Sequence, residues 1–145
     1  MFKHILVAID GSEHSKQAVP AAIELAHHFD GDVFVLHVAE HDKGRAAAYT
    51  LESPAEATRL VADAVTAIKD AGVTAHGRLI DRAAGHVAKA IAETAEENAS
   101  ELIVMGTRGL SDAQGFMAGS VTHEVMRISR LPILVIRPAV MPAAV

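Results

Sequence analysis

The chain has 145 residues, half of them apolar and about 3% aromatic, with no cysteine and a formal net charge of −5. That length suits one domain burying roughly 70% of its unfolded surface without a covalent staple, and the absence of cysteine excludes disulfides and thiolate zinc sites. The acidic balance and scarce aromatics exclude the basic face that nucleic acids need, and no run approaches the roughly 18 apolar residues of a membrane span.

The opening "MFKHILVAID" carries an apolar run from Ile5 to Ile9, too short for a signal-peptide core. The chain is therefore expected to be soluble and cytoplasmic, without membrane or nucleic-acid partners. "HILVAI" (4–9) is apolar on both faces, the mark of a strand covered on both sides. Ser12 is placed to cap a helix reaching about His28, with Ala18, Ala22, Leu25 and Ala26 as its apolar stripe and Gly31 near its end. "DVFVLHV" (32–38) is the second strand. Residues 39–52 form a connection too long for a plain turn and are expected to be a flap.

"SPAE" (53–56) is a helix entry: Ser53 caps, Pro54 takes the first position and Glu56 completes a capping box. Leu60, Ala64, Val65 and Ile68 give the buried face, and Gly72 ends the helix. "TAHGRLI" (74–80) is a weaker, more polar strand, expected at a sheet edge, with Gly77 marking a bulge. A third helix spans about Gly85 to Asn98, "ELIVM" (101–105) is the fourth strand, a fourth helix runs from Ser120 to about Ser129, and "PILVIR" (132–137) is the last strand. The alternation β-α-β-α-β-α-β-α-β predicts an α/β fold with right-handed crossovers and a doubly wound parallel sheet. Residues 1–139 are expected to be the single domain and 140–145 a short tail.

Ligands of such sheets bind where strand order reverses, at the carboxyl ends of strands. The first strand ends at Asp10, the second at Val38 and the fourth at Met105-Gly106; a cleft lies between the first and fourth if they are neighbours. Gly106, Gly109 and Gly119 precede the helix that opens at Ser120. Glycines allow close backbone approach, and the free N–H groups of Ser120, Val121 and Thr122 favour an anion. The hydroxyls of Ser120 and Thr122 add donors. Asp10 suits a ribose, an adenine edge or a metal ion, and Val38 an apolar slot for a base. Singly, each residue has a plain structural explanation, as strand terminator or cap; together, in strand and helix context, they point to a nucleotide site.

These motifs resemble the universal stress protein family along nearly the whole chain. "GTRG", "LSDAQGFMA" and "GS" reproduce the Gly-two-Gly-nine-Gly-Ser spacing of its ATP-binding subgroup, and "ILVAIDGSEHS", "VFVLHV" and "LPILVIRP" resemble its first, second and last strands. The resemblance implies a three-layer α/β/α sandwich, Rossmann-like and similar to adenine nucleotide alpha hydrolases, with strand order 3-2-1-4-5. It implies that Ala8, Ile9, Asp10 and Val38 contact adenine and ribose. Met105, Gly106, Arg108 and Gly109 would follow the ribose and α-phosphate, and Gly119, Ser120, Val121 and Thr122 the β- and γ-phosphates. It also implies ATP as ligand, with Mg entering on its phosphates near Asp10, and a homodimer through Ile133, Leu134, Val135, Ile136 and Arg137. Position 108 is Arg where some members carry His, and the 39–52 flap matches no family pattern.

The loop carries Arg108 but no lysine. Phosphoryl transfer relies on placed charge, an arginine finger alone giving roughly 10³–10⁵ in rate. Backbone amides and a helix dipole give about 0.3–2 kcal/mol per charge, enough to help reach the roughly 8 kcal/mol of micromolar binding. The expectation is a nucleotide-dependent regulator of the stress response with at most slow hydrolysis; a slow ATPase, or a binder of another adenine nucleotide such as a cyclic one, is the alternative. No catalytic residue is assigned, and His123 is expected at the surface. The nine histidines suggest no metal cluster: His37 and His41 are expected to straddle a strand end, and His27-His28 diverge. "SEHS" (12–15) is read as a cap. A phosphoreceiver domain would need more acids beside Asp10 and a lysine after the last strand. A flavin protein would need aromatics to sandwich its ring.

Overall fold

The computed structural model describes residues 1–41, 53–107 and 120–137. Five parallel strands form one sheet: β1 (His4–Ile9), β2 (Asp32–His41), β3 (Ala75–Ala83), β4 (Leu102–Gly106) and β5 (Ile133–Ile136). Their order is β3-β2-β1-β4-β5, the expected doubly wound sheet. The helices are α1 (Glu13–Lys16), α2 (Ala18–Phe29), α3 (Pro54–Asp70), α4 (Val87–Glu97) and α5 (Ser120–Ile128). β3 lies at an edge, as its polar sequence predicts.

Alternation along the central strands divides the core in two. Ile5, Val7, Ile9, Val33, Val35 and Val104 meet α2 and α3 on one face. Leu6, Ala8, Leu36, Val38, Ile103 and Met105 meet α4 and α5 on the other. Ser53 and Glu56 form the capping box of α3, with Glu56 N–H donating to Ser53 Oγ at 3.1 Å and Ser53 N–H to Glu56 Oε2 at 2.9 Å.

Three local expectations change. The helix expected from Ser12 to His28 is two helices, broken at Gln17. Pro20 explains the break: it has no N–H to give the Lys16 carbonyl four residues back, and its ring crowds that carbonyl. Gly77 marks no bulge, because its pairing with Val35 lies in an unbroken register from Val33↔Ala75 to His41↔Ala83. Its missing side chain instead lets α3 approach, since a Cβ there would lie 2.6 Å from Val61 Cγ1 and 2.7 Å from Val65 Cγ2. Finally, β2 and β3 overrun their expected ends at 38 and 80. The β1 pairing stops at Ile9↔His37, while the β2–β3 ribbon continues to His41↔Ala83. Residues 39–41, expected in the flap, therefore belong to a strand, and 42–52 lie outside the described residues.

Candidate functional site

β1 pairs with β2 on one side and β4 on the other. The helix after β1 packs on the α2 and α3 face, and the helix after β4, α5, packs on the other. The two exits diverge, so a crevice opens over the carboxyl ends of β1 and β4. The overrunning ribbon stands beside it. Asp32 N–H donates to Lys3 O at 2.7 Å and Val33 N–H to Thr74 O at 2.9 Å. Even-numbered residues of β2 thus aim their backbone groups at β1. Past Ile9 that edge, with Val38 and Glu40, borders the crevice.

Of the expected contacts, Ala8, Val38 and Met105 share one face and are buried, with Ala8 and Met105 paired across β1 and β4. Ile9 is buried among residues of the opposite face, so its backbone, not its side chain, borders the crevice. Its carbonyl accepts a hydrogen bond at 2.8 Å from Nδ1 of buried His37, which fixes that ring's proton on Nδ1. Asp10 is half-buried. Its Oδ1 accepts Ser12 N–H at 2.9 Å, and its own N–H donates to Ser15 Oγ at 3.1 Å. Ser15 Oγ in turn donates to Ser12 O, and Ser12 Oγ caps Ser15 N–H, both at 3.2 Å. These contacts lock Asp10 to α1 and bear out Ser12 as a cap.

The other wall is Gly106-Thr107. Gly106 packs directly on backbone: a Cβ would lie 2.7 Å from both His14 C and His14 O, and 2.9 Å from Ser15 N. Thr122 Oγ1 donates to Gly106 O at 2.9 Å, Thr107 N–H donates to Ile136 O at 3.1 Å, and His14 Nδ1 and Thr107 Oγ1 are hydrogen-bonded at 3.0 Å. The hydroxyl of Thr122 therefore does not add the free donor expected of it, because its one proton goes to Gly106 O. The main-chain N–H groups of Ser120, Val121 and Thr122 occupy the first turn of α5, where no intrahelical acceptor exists. Val121 is half-buried and His123 exposed, as expected. Arg108, Gly109 and Gly119 lie outside the described residues.

The histidines are dispersed. His37 and His41 both lie within β2, not astride its end, and His41 Nδ1 bonds Asp81 instead of sharing a centre with His37. No group of three His, Asp or Glu suited to a metal ion occurs among the described residues. On α5, the hydrogen bond from Arg127 to Glu124 holds that exposed carboxyl below the usual carboxylate range. A cavity of about 130 Å³ beside His4, Asp32, Phe34, His76 and Ser100 lies at the opposite pole, where strands begin. It is smaller than the roughly 300 Å³ at which small-molecule pockets start. No helix among the described residues is long and apolar enough to cross a membrane.

Sequence reasoning missed His14, Ser15, His37 and Thr107 as neighbours of the site. "SEHS" flagged the first two only as part of a cap, and nothing local links His14 to Thr107.

The model of the universal stress protein family matches residues 1–137. The universal stress protein YxiE of Bacillus subtilis is 33% identical, over 94% of this chain and 100% of its own. The structure of hypothetical protein MJ0577 superimposes with a TM-score of 0.80 at 23% identity, covering 97% of this chain and 99% of that one. A universal stress protein solved in complex with cAMP gives a TM-score of 0.71 at 25% identity, covering 95% and 98%.

Proposed function

The chain belongs to the universal stress protein family, and from that premise we propose that it is a cytoplasmic, homodimeric regulator of the stress response that binds ATP. The observation that carries this reading is the pairing of β1 with β4 at the switch point, which brings the strand ends at Asp10 and Gly106-Thr107 side by side, near the first-turn N–H groups of α5. Adenine takes the slot beside Ala8, Val38 and Met105, Asp10 takes the ribose, and the glycine loop with Gly106, Arg108, Gly109, Gly119, Ser120, Val121 and Thr122 takes the phosphates. Mg²⁺ enters with the phosphates, near Asp10. Residues 1–139 act as the binding domain. Without a loop lysine or a general base, hydrolysis is slow or absent.

Calorimetric titration of nucleotide-stripped protein with Mg-ATP tests the reading. Micromolar binding, lost in Gly109→Val and Gly119→Val variants that still fold, is expected. Absence of binding overturns it, and phosphate release at or above about 1 s⁻¹ overturns the regulatory half. The cAMP complex of a relative favours a second reading, a cyclic-nucleotide binder. Tighter binding of cAMP than of Mg-ATP would select it.

The dimer forms through β5. "ILVI" is an apolar edge strand of the kind that pairs with another chain. Ile136 packs against the core, so Ile136→Lys would disturb the fold as well as an interface. Leu134, 37% exposed, is the cleaner probe. Leu134→Lys is expected to shift the wild-type dimer toward monomer in light scattering; a monomeric wild type would sink the dimer.

A further inference from the structure

We propose that His14 is a positioning residue of the nucleotide site, holding the crevice's two walls at their working separation through its hydrogen bond to Thr107. This rests on the nucleotide reading above. His14 belongs to α1, and α1 is locked to Asp10 through Ser12 and Ser15. Thr107 follows Gly106 on the opposite wall, and it is tied to β5 by its own N–H. The 3.0 Å contact between His14 Nδ1 and Thr107 Oγ1 is part-buried and joins residues 93 apart in sequence.

Beneath it, Gly106 lets the α1 backbone rest on β4 without an intervening side chain. The two contacts act at different heights. Gly106 sets the closest approach of the walls, and the His14–Thr107 bond prevents them from parting above it. A ligand gripping Asp10 and the glycine loop together depends on that spacing, since binding constellations work only when held within about 0.5 Å. The atom that matters is the polar atom one bond beyond Cγ, not the ring or its charge. Asparagine places an amide atom at nearly the same point.

The test is Mg-ATP calorimetry on the full chain, well below the lowest melting midpoint. His14→Leu and Thr107→Val are each expected to weaken binding roughly tenfold, the value of one hydrogen bond. The double variant should bind no more weakly than either single one. His14→Asn and Thr107→Ser should stay within about twofold of wild type. If His14→Leu does not fold, Thr107→Val and Thr107→Ser decide alone. Wild-type affinity in the apolar variants, losses that add in the double variant, or failure of the rescuing variants each overturn the role of His14 and leave the nucleotide reading intact. A wild type that binds no adenine nucleotide overturns both.

Discussion

Gly106→Val is expected to abolish the proposed ATP binding and to lower the melting temperature by about 5–15 °C, the equivalent of about 2–4 kcal/mol. The size of the effect comes from what the new side chain meets. The three nearest atoms to a Cβ at Gly106, all within 3.0 Å, belong to the backbone of His14 or Ser15, and no rotamer change relieves that contact. Valine suits a strand, so propensity is not the cause. Either α1 moves, carrying Asp10 with it through Ser12 and Ser15, or β4 retreats from the sheet. Both routes open the crevice. Scanning calorimetry with an ATP titration measures the two effects together; an unchanged melt with affinity within about twofold of wild type would show that α1 yields freely.

Gly31→Val is expected to cost comparable stability while leaving affinity alone. A Cβ there would lie 2.4 Å from Lys3 O and 2.9 Å from Lys3 C and Cα. That carbonyl already accepts Asp32 N–H at 2.7 Å, the bond that starts the β1–β2 ladder. The clash thus falls on the sheet's opening pair, at the pole away from the crevice. Folded Gly31→Val protein should bind Mg-ATP as wild type does. Loss of affinity in folded protein would break the separation between the two poles, and a wild-type melting temperature would show that the Lys3 backbone adjusts at no cost.

The two glycines illustrate what was legible in the sequence. Gly31 reads as a helix terminator, yet the left-handed residue that ends α2 is Asp30, with φ 53°; Gly31 is required by the nearness of Lys3. Gly106 reads correctly as a place of close approach, but its neighbour is α1. The two-sided burial of the central strands and the capping box of α3 were legible because each rests on local pattern, whereas strand order came only through the family resemblance. The overrun of β2 and β3 was not, because Glu40, His41, Asp81 and Arg82 are polar and give no apolar signal. The division at Gln17 was hidden for another reason: an N-cap and an apolar stripe outweighed one proline. The ties of His14 to Thr107 and of His37 to Ile9 pair residues far apart in sequence, where no periodicity operates.

The placement of β1 at the centre of the sheet also governs how the chain folds during synthesis. One edge of β1 is closed early by β2, with Ile5 meeting Val33. The other waits for β4, with Ile5 meeting Leu102. A ribosome adding roughly 5–20 residues per second leaves that second edge bare for on the order of 5–20 s. Bare apolar edges recruit other chains, so the half-made protein stays open to such pairing until the wall bearing Gly106 arrives. The residues that complete the binding crevice are thus the ones that end the chain's exposure to aggregation.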